Sequence, residues 1–227
     1  MKPATLEEIY RSANAKTVAT WAENSGIGKV KKGHYYDPVK LALAAGIQPP
    51  LSAAVSRLIT ELQQRFQHNP LADILPVRGF HFTFLPLTLP LYKEQEPLPE
   101  KVAQLAAIWS GYEAKKLVIR HLRLVALPDQ LLLAGIPESP AVDLRQTFCE
   151  QVMQSDWKEE LLLRHAGQAL PAPFWHSTIL RYHADFLPDS LRHYFREHQD
   201  RDYGEVCGEL TLARVSYNWT TCYPLSR

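Results

Sequence analysis

Two short stretches of this sequence place a histidine two residues before a threonine. They are His81-Phe82-Thr83 and His176-Ser177-Thr178. Each lies in a run of β-branched and aromatic residues without helical periodicity, preceded by proline or glycine, and this pattern predicts a strand. Residues two apart in a strand point to the same face. Each stretch therefore presents an imidazole and a hydroxyl side by side.

These groups suit the displacement of an oxygen at a phosphodiester. One group must take a proton from the attacking oxygen, another must give one to the leaving oxygen, and donors must hold the charged phosphate oxygens. Imidazole, with an unperturbed pKa of about 6.5, can serve as either acid or base near neutral pH. Two imidazoles and two hydroxyls supply all of these roles, so the chemistry requires no metal ion.

The motif occurs more often than composition predicts. With 9 histidines and 11 threonines in 227 residues, roughly 0.4 such triplets are expected, and two are present. Either triplet alone is most simply a half-buried histidine beside a strand threonine. The presence of both favours a shared functional role.

The composition gives the chain almost no net charge. The chain is 46% hydrophobic, which is enough for a packed core, and 25 lysine and arginine residues balance 24 acidic residues. No global field attracts nucleic acid or an anionic membrane, so we expect no wrapped DNA and no membrane partner. Any phosphate must be recognised locally.

Cysteine usage and the N-terminus indicate the compartment. Cys149, Cys207 and Cys222 lack CxxC spacing, which predicts incidental thiols rather than a disulfide framework or a zinc ribbon. The N-terminus has no apolar signal segment, and no apolar run approaches the length of a membrane span. We therefore expect a cytoplasmic, monomeric protein.

Other side chains near the two motifs have less certain roles. In a regular strand Arg181 lies on the face opposite His176, where it either pairs with a carboxylate or reaches round to a phosphate. Tyr182 and Tyr217 could stack on a base, as could Trp175, Trp219 and Tyr223, although strand aromatics are commonly core residues. His193 and His198 lack the spacing of helical metal ligands, and a GxSxG turn is absent. We therefore predict neither a metal site nor a serine hydrolase.

Residues 1–37 form a candidate extension before a domain of residues 38–227. Residues 5–24 have the apolar spacing of an amphipathic helix with Thr5 as its N-cap. The basic loop of residues 25–37 either is a solvated connector or touches the substrate backbone through a lysine, with a tyrosine stacking on a base. The residues concerned are Lys29, Lys31, Lys32, Tyr35 and Tyr36.

The rest of the chain alternates strands and helices. Strands are predicted at 39–47, 77–87, 116–125, 130–136, 174–182, 207–217 and 221–226, and helices at 50–68, 97–114, 141–153 and 189–197. The two comparable halves each contain one histidine/threonine strand. This order predicts an α+β protein with two lobes that face each other across a cleft.

The paired motifs resemble those of the 2H phosphoesterase superfamily, which includes bacterial RNA 2′,3′-cyclic phosphodiesterases, also called 2′-5′ RNA ligases. The stretch HSTILR follows the family pattern H-x-T-hydrophobic-x-Arg, with Arg181 in the arginine position, and HFTFLPL follows it more loosely. The resemblance runs from about Val39 to Leu225. It implies a bilobal fold of two antiparallel-sheet lobes with outer helices, and no metal or nucleotide cofactor.

The resemblance also implies roles for the motif residues. His81 would donate the proton to the leaving oxygen, His176 would activate water, and the two threonines, Thr83 and Thr178, would hold phosphate oxygens. The expected activity is hydrolysis of a 2′,3′-cyclic phosphate or a related RNA or nucleotide phosphodiester. The alternative, suggested by Pro86 and Thr88 in the looser first motif, is a non-catalytic module that binds a nucleotide or an RNA end.

Overall fold

The computed structural model describes residues 4–33 and 36–225 and shows an α+β protein with two antiparallel sheets. In chain order the helices and strands are α1 (Leu6–Glu23), β1 (Ala42–Ile47), α2 (Ala53–Phe66), β2 (Ala72–Ile74), β3 (Phe82–Pro86), α3 (Val102–Trp109), β4 (Lys116–Leu127), β5 (Gln130–Pro137), α4 (Ser139–Met153), α5 (Lys158–Arg164), β6 (His176–Tyr182), α6 (Asp189–His198), β7 (Val206–Glu209), β8 (Thr211–Val215) and β9 (Cys222–Pro224). The first sheet has the order β3-β1-β8-β9 and the second β2-β6-β5-β4-β7. The expected bilobal architecture is confirmed.

The two halves of the chain exchange strands between the sheets. The short strand β2, which the sequence did not predict, follows α2 and pairs with β6 in the second sheet. The single strand expected at 207–217 is two strands, because β7 pairs with β4 and β8 pairs with β1. The chain changes sheets at Leu210, so this segment links the two lobes.

Helices cover the outer faces of the sheets through apolar stripes. In α2 the side chain of Ser52 accepts a hydrogen bond from the N–H of Val55, as expected of an N-cap. The buried face of this helix consists of Val55, Leu58, Ile59, Leu62 and Phe66. Helices α3, α4 and α5 form a second group, in which α4 packs against β3. Helix α5 is absent from the sequence-based expectation because its seven residues are too few to show a period.

Helix α1 packs against β4 and β5 of the second sheet. Its N-cap is Thr5, as the sequence suggests, and the side chains of Thr5 and Glu8 form a capping box. Thr17 donates a hydrogen bond to the carbonyl of Ala126 at 2.8 Å, and Trp21 donates one to the carbonyl of Pro128 at 3.0 Å. The helix is thus fixed to the sheet by directional contacts, while the domain division at residue 37 stays a prediction.

The basic loop after α1 is held on the second sheet. Val30 forms an isolated bridge with Ala184, and the ammonium of Lys31 pairs with Asp129. The backbone N–H of Lys29 donates to the Asp185 carboxylate at 2.8 Å. These contacts anchor the loop without placing Lys29, Lys31 or Lys32 in the cleft described below. Among the described helices, none is long and apolar enough to cross a membrane.

Candidate active site

The two histidine/threonine strands meet where the sheets adjoin. Strand β3 contacts β6, and a cleft of about 300 Å³ opens over both. His81, Thr83, His176 and Thr178 all line this cleft. The structure thus brings together side chains that lie almost 100 residues apart in the chain.

Both strands contain a bulge directly after their threonine. In β3 the register skips Phe84, since Thr83 pairs with Gly46 and Leu85 with Ala45. In β6 it skips Ile179 in the same way, since Thr178 and Leu180 face consecutive residues of β5. An extra residue reverses the alternation of side chains beyond it and bends the strand. The equivalent position of the two bulges makes the cleft walls pseudo-symmetric.

The second bulge corrects the expectation for Arg181 and Tyr182. Beyond Ile179, Arg181 instead of Leu180 faces the cleft, on the same side as His176 and Thr178. Tyr182 turns the other way, is 4% exposed, and accepts a hydrogen bond from Asn69 at 3.2 Å. A regular strand would turn Tyr182 toward the cleft and Arg181 away from it. Because Tyr182 is buried outside the cleft lining, the prediction that it contacts substrate was wrong.

His81 is held by a backbone carbonyl and an indole ring. Its Nδ1 lies 2.7 Å from the carbonyl oxygen of Gly79, which can only accept, so Nδ1 carries a hydrogen. Its ring stacks on Trp219 with centroids 5.0 Å apart and planes inclined by 12°. These contacts leave Nε2 as the ring nitrogen for a ligand. Burial lowers the pKa of His81 to about 3, so the free protein holds a neutral imidazole at pH 7.

His176 lies against different neighbours. Its Nδ1 is buried without a hydrogen-bond partner in the described residues, and the ring of Phe174 meets it edge-on at 6.0 Å. Burial, followed by the positive charges of Arg181 and Arg145, lowers the pKa of His176 to about 4. Both imidazoles are therefore neutral in the free protein, and an anion bound between them would favour protonation.

The cleft lining is cationic. Among the described residues that line it are three arginines, Arg145, Arg164 and Arg181, but no aspartate or glutamate. Because the whole chain has a formal net charge of only +1, this concentration of positive charge is local. Such a lining concentrates positive charge in the cleft without creating a strong overall field.

Arg145 is a cleft residue that the sequence analysis missed. It is 5% exposed, its Nη1 donates to the carbonyl of Phe174 at 3.1 Å, and its guanidinium lies 3.7 Å from the ring centre of Trp175. Burial lowers its pKa to about 10, so it stays charged at neutral pH. The available signal was an arginine on the apolar face of a helix, four residues after Ala141 and four before Cys149.

One wall of the cleft comes from a segment to which the sequence analysis assigned no function. Arg164, His165 and Gln168, at and after the end of α5, line one wall. His165 is held by its Nε2, which lies 2.9 Å from the carbonyl oxygen of Pro86. Their sequence shows no motif, so only the fold could reveal them.

The predicted aromatic contacts divide into two groups. Tyr36, Tyr217 and Trp219 line the cleft, whereas Trp175 is buried outside its lining. Tyr223 is exposed and donates its hydroxyl hydrogen to Glu94. Tyr35 falls outside the described residues. Within the described residues, no cluster of three or more histidine, cysteine, aspartate or glutamate side chains could hold a metal ion.

Solved structures share this fold. The crystal structure of E. coli LigT in complex with 3′-AMP matches with a TM-score of 0.51 and 15% identity, over 78% of this chain and 90% of that one. A crystal structure described as a phosphoesterase matches with a TM-score of 0.51 and 16% identity, over 83% of this chain and 97% of that one. No family model matches the chain, and no curated protein matches it in sequence. At this level of identity the likeness establishes the architecture alone.

Proposed function

We propose that this protein is a metal-independent phosphodiesterase that hydrolyses a 2′,3′-cyclic phosphate or a related RNA or nucleotide phosphodiester. The observation that supports this most strongly is the convergence of two imidazoles, two threonine hydroxyls and arginines on one cleft without a lining carboxylate. These groups match the needs of a phosphodiester displacement, in which two proton transfers accompany charge on the phosphate oxygens. The bound 3′-AMP of LigT, a protein of the same fold, further supports a nucleotide in the cleft.

The resemblance to the 2H phosphoesterases assigns His81 as the acid and His176 as the base. The Gly79 carbonyl accepts a hydrogen bond from His81 and stabilises its imidazolium, as the role of acid requires. Arg181 disfavours protonation of both histidines, and Arg145 disfavours that of His176 as well. The negative charge of the bound phosphate would raise the pKa of His81 and let it take up a proton before reaction.

The reaction then proceeds by one displacement at phosphorus. Neutral His176 takes a proton from water through Nε2, and the water oxygen forms a bond to phosphorus. The bond from phosphorus to the 2′ or 3′ oxygen breaks, and protonated His81 gives its Nε2 hydrogen to that oxygen. Thr83 and Thr178 donate hydrogen bonds to the non-bridging oxygens, and Arg181 offsets their charge. The product is a phosphate monoester, and solvent returns the histidines to their starting states.

The test is the hydrolysis of nucleoside 2′,3′-cyclic phosphates by purified protein in the presence of a chelator. Replacing His81 or His176 by alanine should lower kcat by a factor on the order of 10²–10⁴. His193, an exposed histidine of α6, provides a matched His→Ala control that should retain full activity. NMR of the product identifies whether the 2′ or the 3′ monoester forms.

Two outcomes would overturn the proposal. Full activity of His176→Ala would show that His176 is not the base. Binding of a nucleotide by calorimetry, with no hydrolysis of any cyclic or linear phosphodiester, would instead identify a binding module on the same fold.

A further inference from the structure

The arginines of the cleft exceed what one phosphodiester requires. A cyclic phosphodiester carries a single negative charge, and Arg145 and Arg181 already lie close enough to His176 to lower its pKa. Arg164 is a third guanidinium in the same lining. Among the described residues, none of the three forms an ion pair with a carboxylate. A cationic lining without counter-charges is costly unless a ligand supplies them.

Arg164 lies in the cleft lining beside the ring of Tyr36. Its Nη2 donates to the hydroxyl of Tyr36 at 3.3 Å, and its guanidinium carbon is 5.7 Å from the centre of that ring. The guanidinium carbon of Arg181 is also 5.7 Å from the Tyr36 ring and is 5.5 Å from that of Tyr217. The ring of Tyr36 thus contacts both the arginine of β6 and the arginine of α5.

Arg181 and Arg164 differ in their surroundings. Asp73 lies opposite Arg181 in the β2–β6 ladder and accepts a hydrogen bond from Tyr217, so a carboxylate borders that side of the cluster. Arg164 instead contacts Tyr36, through a hydrogen bond and through the face of its ring. The last turn of a helix is a favourable place for a cation, but this does not explain why the guanidinium turns into the cleft. Gln168, which lines the same wall, adds an amide donor.

We infer that Arg164, with Tyr36 and Gln168, forms a second anion subsite that binds a phosphate monoester of the same substrate. The inference rests on the proposed function and narrows its substrate class. The preferred substrate has a terminal phosphate besides the phosphodiester that is cleaved, as in a nucleoside 2′,3′-cyclic phosphate phosphorylated at its 5′ oxygen. It also gives the segment before β1 a role in specificity, since Tyr36 belongs to that segment.

The kinetic test compares two substrates with the same base, one with a 5′-hydroxyl and the other with a 5′-phosphate. The wild-type protein should prefer the phosphorylated substrate by about tenfold or more in kcat/KM, the effect of a charge-assisted hydrogen bond. Arg164→Gln should bring the ratio close to one, because it lowers kcat/KM for the 5′-phosphate substrate much more than for the 5′-hydroxyl substrate. Arg196→Gln, at an exposed arginine of α6, should retain the wild-type ratio. Raising the salt concentration should weaken the preference.

A binding measurement tests the subsite independently of catalysis. Calorimetry with adenosine 3′,5′-bisphosphate and adenosine 3′-monophosphate should show about tenfold tighter binding of the bisphosphate. Arg164→Gln should abolish this difference. Equal affinities in the wild type, or a difference that survives Arg164→Gln, would overturn the subsite. Absence of hydrolysis with both cyclic substrates would overturn the proposed function instead.

Discussion

The hydroxyl of Tyr10 accepts a hydrogen bond from the backbone N–H of Trp175 at 3.0 Å, although 165 residues separate them. The same hydroxyl donates to the carbonyl of Gly135 at 2.9 Å. Tyr10 therefore joins β5 to the residue that directly precedes His176. Its ring also contacts Phe174, with centroids 5.1 Å apart, and Phe174 in turn meets the imidazole of His176. Helix α1 thereby supports one wall of the candidate active site.

Replacing Tyr10 by phenylalanine should destabilise the protein by about 1–3 kcal/mol, because a buried N–H and a buried carbonyl lose their partner. Urea unfolding of the variant measures this change. Tyr223→Phe is the matched control, since that hydroxyl is exposed and bonds to Glu94. Equal stability of Tyr10→Phe and the wild type would show that the paired hydroxyl contributes nothing.

The buried histidines should make stability depend on pH. The pKa of His81 is about 3 in the folded protein, below its unfolded value, so the unfolded chain binds more protons on acidification and the folded state loses stability. Between about pH 8 and about pH 5 this loss should be on the order of 2 kcal/mol for His81, with a further contribution from His176. Urea unfolding at the two pH values measures it.

The His81→Asn variant should show a smaller pH dependence than the wild type. The exposed His193→Asn provides the control, and its pH dependence should equal that of the wild type. Adding 3′-AMP near pH 5 should restore part of the stability, because the anion favours the imidazolium. A pH dependence unaffected by His81→Asn would contradict the burial argument.

Arg192 should be essential for attaching the segment after α1. It is 4% exposed, and its guanidinium donates to the carbonyls of Trp21 at 3.1 Å and Asn24 at 2.9 Å. It also donates to the carbonyl of Leu187 at 2.6 Å. Arg192→Lys retains the positive charge but not the planar set of donors. This substitution should lower the free energy of unfolding by about 2–4 kcal/mol.

The control for Arg192→Lys is Arg196→Lys, one turn further along α6 and exposed. Hydrogen exchange should show faster exchange in residues 24–31 for Arg192→Lys alone. Unchanged protection of this segment would mean that other contacts suffice to hold it.

Gly46 should resist substitution because of its place at the first bulge. A Cβ at this position would lie 2.5 Å from the carbonyl oxygen of Phe82 and 2.8 Å from the ring of Trp219, which stacks on His81. Gly46→Ala should therefore displace Trp219, destabilise the protein by about 1–3 kcal/mol and lower activity. Gly111→Ala is the control, since its nearest neighbour is 4.0 Å away. Thermal unfolding and kcat measured on both variants would test this, and an unaffected Gly46→Ala would show that the ring has room to move.

The sequence by itself determined the strands that bear Thr83, His176 and Thr178, with His81 directly before the first of them, because alternation in a strand is a local property. It also determined helix α2 and the α+β class. The sequence did not determine all strand boundaries. The chain passes from one sheet to the other at Leu210, and this change leaves no local pattern in the sequence.

Only the tertiary structure decided which other side chains join the cleft. The bulge at Ile179 turns Arg181 inward and Tyr182 outward, and bulges depend on pairing with a distant strand. Arg145 reaches the cleft because α4 packs against β3, which is distant in sequence, and Arg164 reaches it from α5, which packs against α4. Strand periodicity fixes only the face on which a residue lies. The meeting of residues from separate segments depends on packing energies that no single segment contains.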